Sequence, residues 1–177
     1  MVWNSNFSRD YFYLDDEPLA EPRPLSPEER LRVAKEHFED RFPHAEYHLK
    51  LFSVAAGDQQ RKHAAFELHQ ALEQAYSCVL PTLTNYDPHS HNIKFLRALA
   101  EEQDRRLAGA WPRDERRFIA WFNTLKEAYV KARYSKHFKI SEEALAWLGE
   151  RTAALHRLVE TACREHLKRL ERMAGDG

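Results

Sequence analysis

Apolar residues recur at steps of three and four along most of this chain, the spacing that gives an α-helix one buried face. Ala65, Leu68, Leu72, Ala75 and Val79 form the clearest such seam. Phe118, Trp121, Phe122, Leu125, Ala128, Tyr129 and Ala132 form a second, and Leu145, Leu148, Leu155, Val159, Ala162 and Leu170 a third. The boundaries are marked by chemistry. Ser26-Pro27-Glu28-Glu29 reads as a capping box with proline at the first helical position. That helix is expected to run to about Phe42, where Pro43 breaks it or restarts a second helix ending near Gly57. Asp58 is expected to cap the next helix, which reaches Val79 or slightly beyond before Pro81 and the Asn85–His89 segment end it. Ser90 is expected to cap a short helix to about Gln103, with Ile93, Phe95, Leu96 and Leu99 as its apolar set. A break at Gly109–Pro112 precedes the second seam, and Ser141-Glu142-Glu143 opens the last helix. The pattern predicts an all-α, antiparallel up-and-down bundle of four long helices plus short ones. No internal repeat is visible.

Residues 1–24 differ from the rest. Trp3, Phe7 and Tyr11-Phe12-Tyr13-Leu14 are followed by Pro18, Pro22 and Pro24. The prolines forbid a helix and favour an extended arm, whose aromatics are expected to pack on the bundle or on a partner. The expected organisation is therefore an arm over 1–24, a bundle over 25–172 and a tail over 173–177.

Composition narrows the function classes. A chain of 177 residues suits one domain, since domains cluster near ~100–150 residues. The five glycines argue against a turn-rich sheet protein. With 27 basic and 28 acidic residues the formal net charge is −1, so any contact with nucleic acid has to be local. Cys78 and Cys163 both fall on helical patterns and are expected to be buried thiols in a reducing cytoplasm. The sequence has neither an 18-residue apolar run nor a signal peptide, which points to a cytoplasmic, soluble protein.

Two places carry candidate chemistry. On the central helix His69, Glu73 and Tyr76 form a polar stripe beside the apolar seam, and Arg133 flanks the seam of a later helix next to Tyr129. His69, Glu73 and Arg133 are placed to face each other, either as a structural pair fixing helix register or as part of a ligand pocket. The loop Asp87-Pro88-His89-Ser90-His91-Asn92 precedes a helix start, where free N–H groups favour anions. There His91 and Asn92 either help hold a phosphate or, with Ser90, simply cap the helix. His89 and His91, one residue apart without a nearby cysteine or carboxylate, make a poor metal site, so neither metal nor cofactor is expected. Phe66 and Tyr134 project away from their seams, which suggests an interface and a homodimer unless further helices bury them.

The blocks Ala64–Tyr76, Ser90–Asn92 and Ala128–Ser141, with the long final helix after them, resemble the HEPN family. The likeness covers Leu25 to Glu171 and is to the HEPN half of proteins that join a nucleotidyltransferase to a HEPN domain. It implies a helical bundle that binds a nucleotide or docks on a nucleotidyltransferase, at times in pairs similar to toxin and antitoxin. A nucleotide-binding form predicts a cavity reached by His69, Glu73, His91, Arg133 and Tyr134, with Asn92 beside His91 as a further candidate for holding phosphate. A transferase active site needs a Gly-Ser pair and paired aspartates on a strand, and the sequence contains no such motif.

Some HEPN proteins are metal-independent ribonucleases. For these the resemblance implies an arginine that steadies phosphate and a histidine that moves a proton, with about four to six residues between them. Here the matching region reads Arg133-Tyr134-Ser135-Lys136-His137, a shorter spacing. Arg30–His37, Arg32–His37, Arg41–His48 and Arg151–His156 fit the longer spacing but lie on ordinary amphipathic helices outside the expected place. Three readings follow. The favoured one is a module without catalysis of its own, and the others are a ribonuclease using Arg133 and His137 and a dimerisation module without a ligand.

Overall fold

Ser26 starts the first helix as its sequence dictates. Its hydroxyl accepts from the Glu29 N–H, and the Glu29 carboxylate accepts from the Ser26 N–H at 2.8 Å. The structure, a computed structural model, describes residues 24–175, so all of the expected arm except Pro24 lies outside the described residues. The helices are α1 (Pro27–Gly57), α2 (Arg61–Thr84), α3 (Ile93–Gln103), α4 (Arg116–Tyr134) and α5 (Glu142–Gly175). A 3-10 segment, Arg105–Ala110, follows α3. The described residues contain no strand, and the fold is the expected all-α bundle with four long helices. None of these helices is long and apolar enough to cross a membrane.

Contacts between side chains set the register. His48 meets Glu67 and Arg41 meets the Ser77 carbonyl, so α1 and α2 are antiparallel. Arg133 lies over Phe66 and Tyr129 against His69, which makes α4 antiparallel to α2. Phe52 abuts Gly149, Phe42 meets His156 and Phe38 lies under Arg164, which makes α5 antiparallel to α1. The central helix is α2, touching α1, α3, α4 and α5. Leu68, Leu72, Ala75 and Val79 of its seam are buried, as are Tyr76 and Cys78 on its other sides. Cys78 and Cys163 are both buried free thiols.

Several boundaries differ from the expectation, each for a physical reason. Pro43 neither breaks nor restarts a helix, because α1 runs through it. The ring sits on the exposed face, where water can reach the carbonyl left without its N–H, while Phe38, Phe42, Ala45 and Phe52 bury the opposite face. Pro81 also lies inside its helix, and here the missing donor is replaced. Arg41 Nη1 donates to the Ser77 carbonyl, the acceptor that residue 81 would otherwise have served, at 3.0 Å. Asn85, with φ 58°, ends α2 instead. Asp58 caps the end of α1 and not the start of α2, whose N-cap Gln60 makes no side-chain bond. Asn92 is the N-cap of α3, its Oδ1 accepting from Lys94 and Phe95, while Ser90 braces the Asn92 N–H. Phe95 faces outward, and Arg97 and Ala100 join Ile93 and Leu96 on the buried face of α3. Ser141 accepts from the Ala144 N–H, as expected of the last helix start, and α5 continues through residues 173–175.

Gly149 allows α5 to approach α1 closely. A Cβ built there would lie 2.5 Å from Phe52 Cε1 and 2.7 Å from its Cζ. Gly149→Ala is therefore expected to destabilise the fold by about 1–3 kcal/mol, outweighing the roughly 1 kcal/mol that alanine gains in helix propensity. Urea unfolding checks this; a midpoint at or above wild type would show that the Phe52 ring moves aside freely.

Candidate functional site

Burial dominates the chemistry of the central polar stripe. His69 has no exposed surface, and neither ring nitrogen has a hydrogen-bond partner within bonding geometry among the described residues. Its Nδ1 lies 3.8 Å from Glu73 Oε2, too far for a hydrogen bond. Desolvation lowers its pKa to about 4, and the neighbouring charges of His91 and Arg133 push the same way. His69 is thus a neutral imidazole at pH 7. Glu73 is nearly sealed as well, and burial raises its pKa against the opposing pull of its bond to His91. That bond, His91 Nδ1 to Glu73 Oε1, is 3.0 Å long and fastens the loop before α3 onto α2. The His91 side chain itself stays 62% exposed.

The Tyr129 ring on α4 joins these groups. His91 stacks on it at 4.4 Å with 13° between planes, and His69 lies 5.4 Å away on a tilt. Phe66 stacks at 6.3 Å, and Arg133 lies over Tyr129 at 4.6 Å, Phe66 at 5.0 Å and Tyr134 at 5.1 Å. Arg133 Nε donates to the Tyr129 carbonyl one turn earlier, which sets the guanidinium's orientation. Arg133 is exposed and forms no ion pair among the described residues, and Tyr134 is 76% exposed. A weakly hydrated cation held between ring faces, with free donors outward, suits phosphate and planar bases.

The structure therefore brings His69, Glu73, His91 and Arg133 into one cluster, with Tyr134 at its edge. Asn92 is adjacent in sequence, yet its side-chain oxygen is committed to the cap of α3. His137 stands apart. Its N–H donates to Ser135 Oγ, and its imidazole makes no hydrogen bond, ion pair or ring contact among the described residues. A cleft of about 410 Å³ between α1, α2 and the 87–91 loop takes in Glu73, His91, Arg41, His44 and His89. Among the described residues no group of three or more His, Cys, Asp or Glu is placed to hold a metal.

Other arginine–histidine pairs have structural duties. Arg41 is bound to Asp87 and Ser77, and His48 to Glu67 at 2.8 Å. His156 is buried, bonds through Nε2 to the Ala71 carbonyl, and has its pKa lowered to about 4 by desolvation. Arg32 pairs with Glu36 one turn on, and Arg30 donates to the Leu25 carbonyl. Phe66, expected to point outward to a partner, is covered by Tyr129 and Arg133 of its own chain. Reasoning on the sequence placed Tyr129 beside Arg133 but did not give it the joining role. The one local signal was the i,i+4 spacing of the two.

The decisive comparison is with the family of HEPN domains, whose description matches residues 38–170, most of the chain. The chain belongs to the HEPN family. No curated protein matches it. The matched span covers α2, α3 and α4 entirely, so every residue of the cluster lies inside the HEPN domain.

Proposed function

We propose that this HEPN domain binds a nucleotide on the face formed by Arg133, Tyr129, Tyr134 and His91, without catalysing a reaction of its own. The observation that carries this reading is the Arg133 guanidinium, unpaired among the described residues and layered against three aromatic rings. Arginine offers a forked set of donors to phosphate, and an exposed tyrosine offers a stacking face to a base. His69 and Glu73 support the site from beneath. A neutral imidazole and a carboxylate tied to His91 fix the ring stack without adding exposed charge. A nucleotidyltransferase domain or protein is the proposed partner, as its substrates carry the same phosphates. A homodimer is proposed through the outward face of α4, where Ile119 and Val130 are exposed.

Thermal shift and RNA incubation test this reading together. Ribonucleoside triphosphates at millimolar concentration are expected to raise the melting temperature by a few degrees, and Arg133→Ala to remove that rise. RNA incubated with the protein in EDTA is expected to stay intact. Degradation lost in both Arg133→Ala and His137→Ala would replace the binding module with a ribonuclease. No shift with any nucleotide would leave dimerisation as the function.

A further inference from the structure

A second cluster, sharing no residue with the Arg133 face, lies where α3, the 3-10 segment, α4 and the start of α5 meet. Trp111, Phe118, Phe122 and Trp147 wall a cavity of about 310 Å³ there. Phe118 and Trp147 stack at 4.3 Å and 6° between planes, and Trp111 meets Phe122 edge-on at 4.8 Å. The rings hold each other in fixed orientations, so the cavity is preformed and flat-sided.

Arg97 lines the same cavity and is only 9% exposed. Its guanidinium lies 5.0 Å from the Phe122 centroid and 5.6 Å from that of Trp111. Its Nε is bonded to Glu101, while Nη2 is sealed from solvent with no hydrogen-bond partner among the described residues.

The charge around the cavity is one-sided. Lys94, Arg97 and Arg113 line it against a single carboxylate, Glu101, whose two oxygens face Arg97 and Arg113. One acid between three cations leaves an excess of positive charge beside a wall of rings. A cavity of this size is at the small end of ligand sites, about 300–1,000 Å³.

We infer that this cavity binds a small planar aromatic carboxylate, with the ring system between the aromatic walls and the carboxylate toward Arg97 and the cationic rim. The aromatic walls supply apolar contact area, and the positive excess selects an anion. The limited volume confines the ligand to one or two fused rings, too small for a whole nucleotide.

The probe is 2-naphthoate, titrated into the full chain and followed by calorimetry and tryptophan quenching, with 2-naphthalenemethanol as its neutral counterpart. The carboxylate is expected to saturate with a dissociation constant below about 1 mM and to bind at least about tenfold tighter than the alcohol. Arg97→Met is expected to erase that preference. Because Arg97 is buried, so that its replacement also perturbs the core, Ala98→Phe is the second variant. Ala98 is an exposed position lining the cavity, so the larger side chain blocks the space without touching the core. Ala98→Phe is expected to lose 2-naphthoate binding while melting like wild type. Equal affinity for acid and alcohol, wild-type affinity in Ala98→Phe, or no saturation up to about 5 mM would each overturn the assignment.

Discussion

The protein is expected to lose roughly 3 kcal/mol of stability for each of two histidines as the pH falls from about 6.5 to about 4. His69 and His156 are both buried, and desolvation lowers each pKa to about 4. In the unfolded chain both take up protons near pH 6.5, while the folded chain refuses them until about pH 4. Between those values the unfolded state carries more protons, so stability is greatest above the window and falls as acid is added. A difference of about 2.5 units at 1.36 kcal/mol per unit gives roughly 3 kcal/mol per residue. Glu73 opposes part of this loss, since its raised pKa lets the folded state hold a proton that the unfolded state has released. Half-buried His166, lowered mainly by desolvation, adds to it. Against a typical total of about 5–15 kcal/mol the sum is a large share. Urea midpoints measured from pH 7.5 to 4.5 check it, and His156→Gln is expected to flatten the decline. A midpoint unchanged between pH 7 and 5 would mean that these histidines are protonated in the native state.

The second large effect concerns Arg41. It grips Asp87 in a two-bond pair, both side chains 24% exposed, and donates to the carbonyl that Pro81 leaves unserved. Arg41→Ala leaves a partly buried carboxylate and a helix carbonyl without donors at once. The expected cost is about 2–4 kcal/mol, well above that of an exposed ion pair. Thermal unfolding checks the size. Pro81→Ala restores the missing N–H, so it is expected to reduce the penalty of Arg41→Ala when the two are combined. Strict additivity would show that the carbonyl contact contributes nothing.

These residues also show where the sequence was legible and where it stopped. The Ser26–Glu29 box and the Ser141 cap lie within four residues of their partners, and both were readable because their physics is local. The α2 seam was readable for the same reason, since a period of 3.6 names the buried face of a central helix. The two prolines were misjudged because their tolerance depends on distant groups. Arg41 reaches Ser77 across 36 positions, and the α1 helix through Pro43 rests on core packing by Phe38, Phe42 and Phe52. The cluster was half visible. Arg133 of α4 and His69 of α2 both lie against the Tyr129 ring, and His91 is bound to Glu73 beside them. The ring stack on Tyr129 was not readable, because it combines residues from α2, α4 and a loop whose course sequence periodicity does not specify.

The most direct measurement of the central claim is a calorimetric titration of ATP, GTP and AMP into the full chain near pH 7.5, repeated with Arg133→Ala and Tyr134→Ala. At least one nucleotide is expected to bind saturably with a dissociation constant below about 1 mM. Arg133→Ala is expected to weaken it by about tenfold or more, and Tyr134→Ala by less, with both variants melting like wild type. Saturable binding unchanged in Arg133→Ala, or no heat from any of the three nucleotides, would contradict the account.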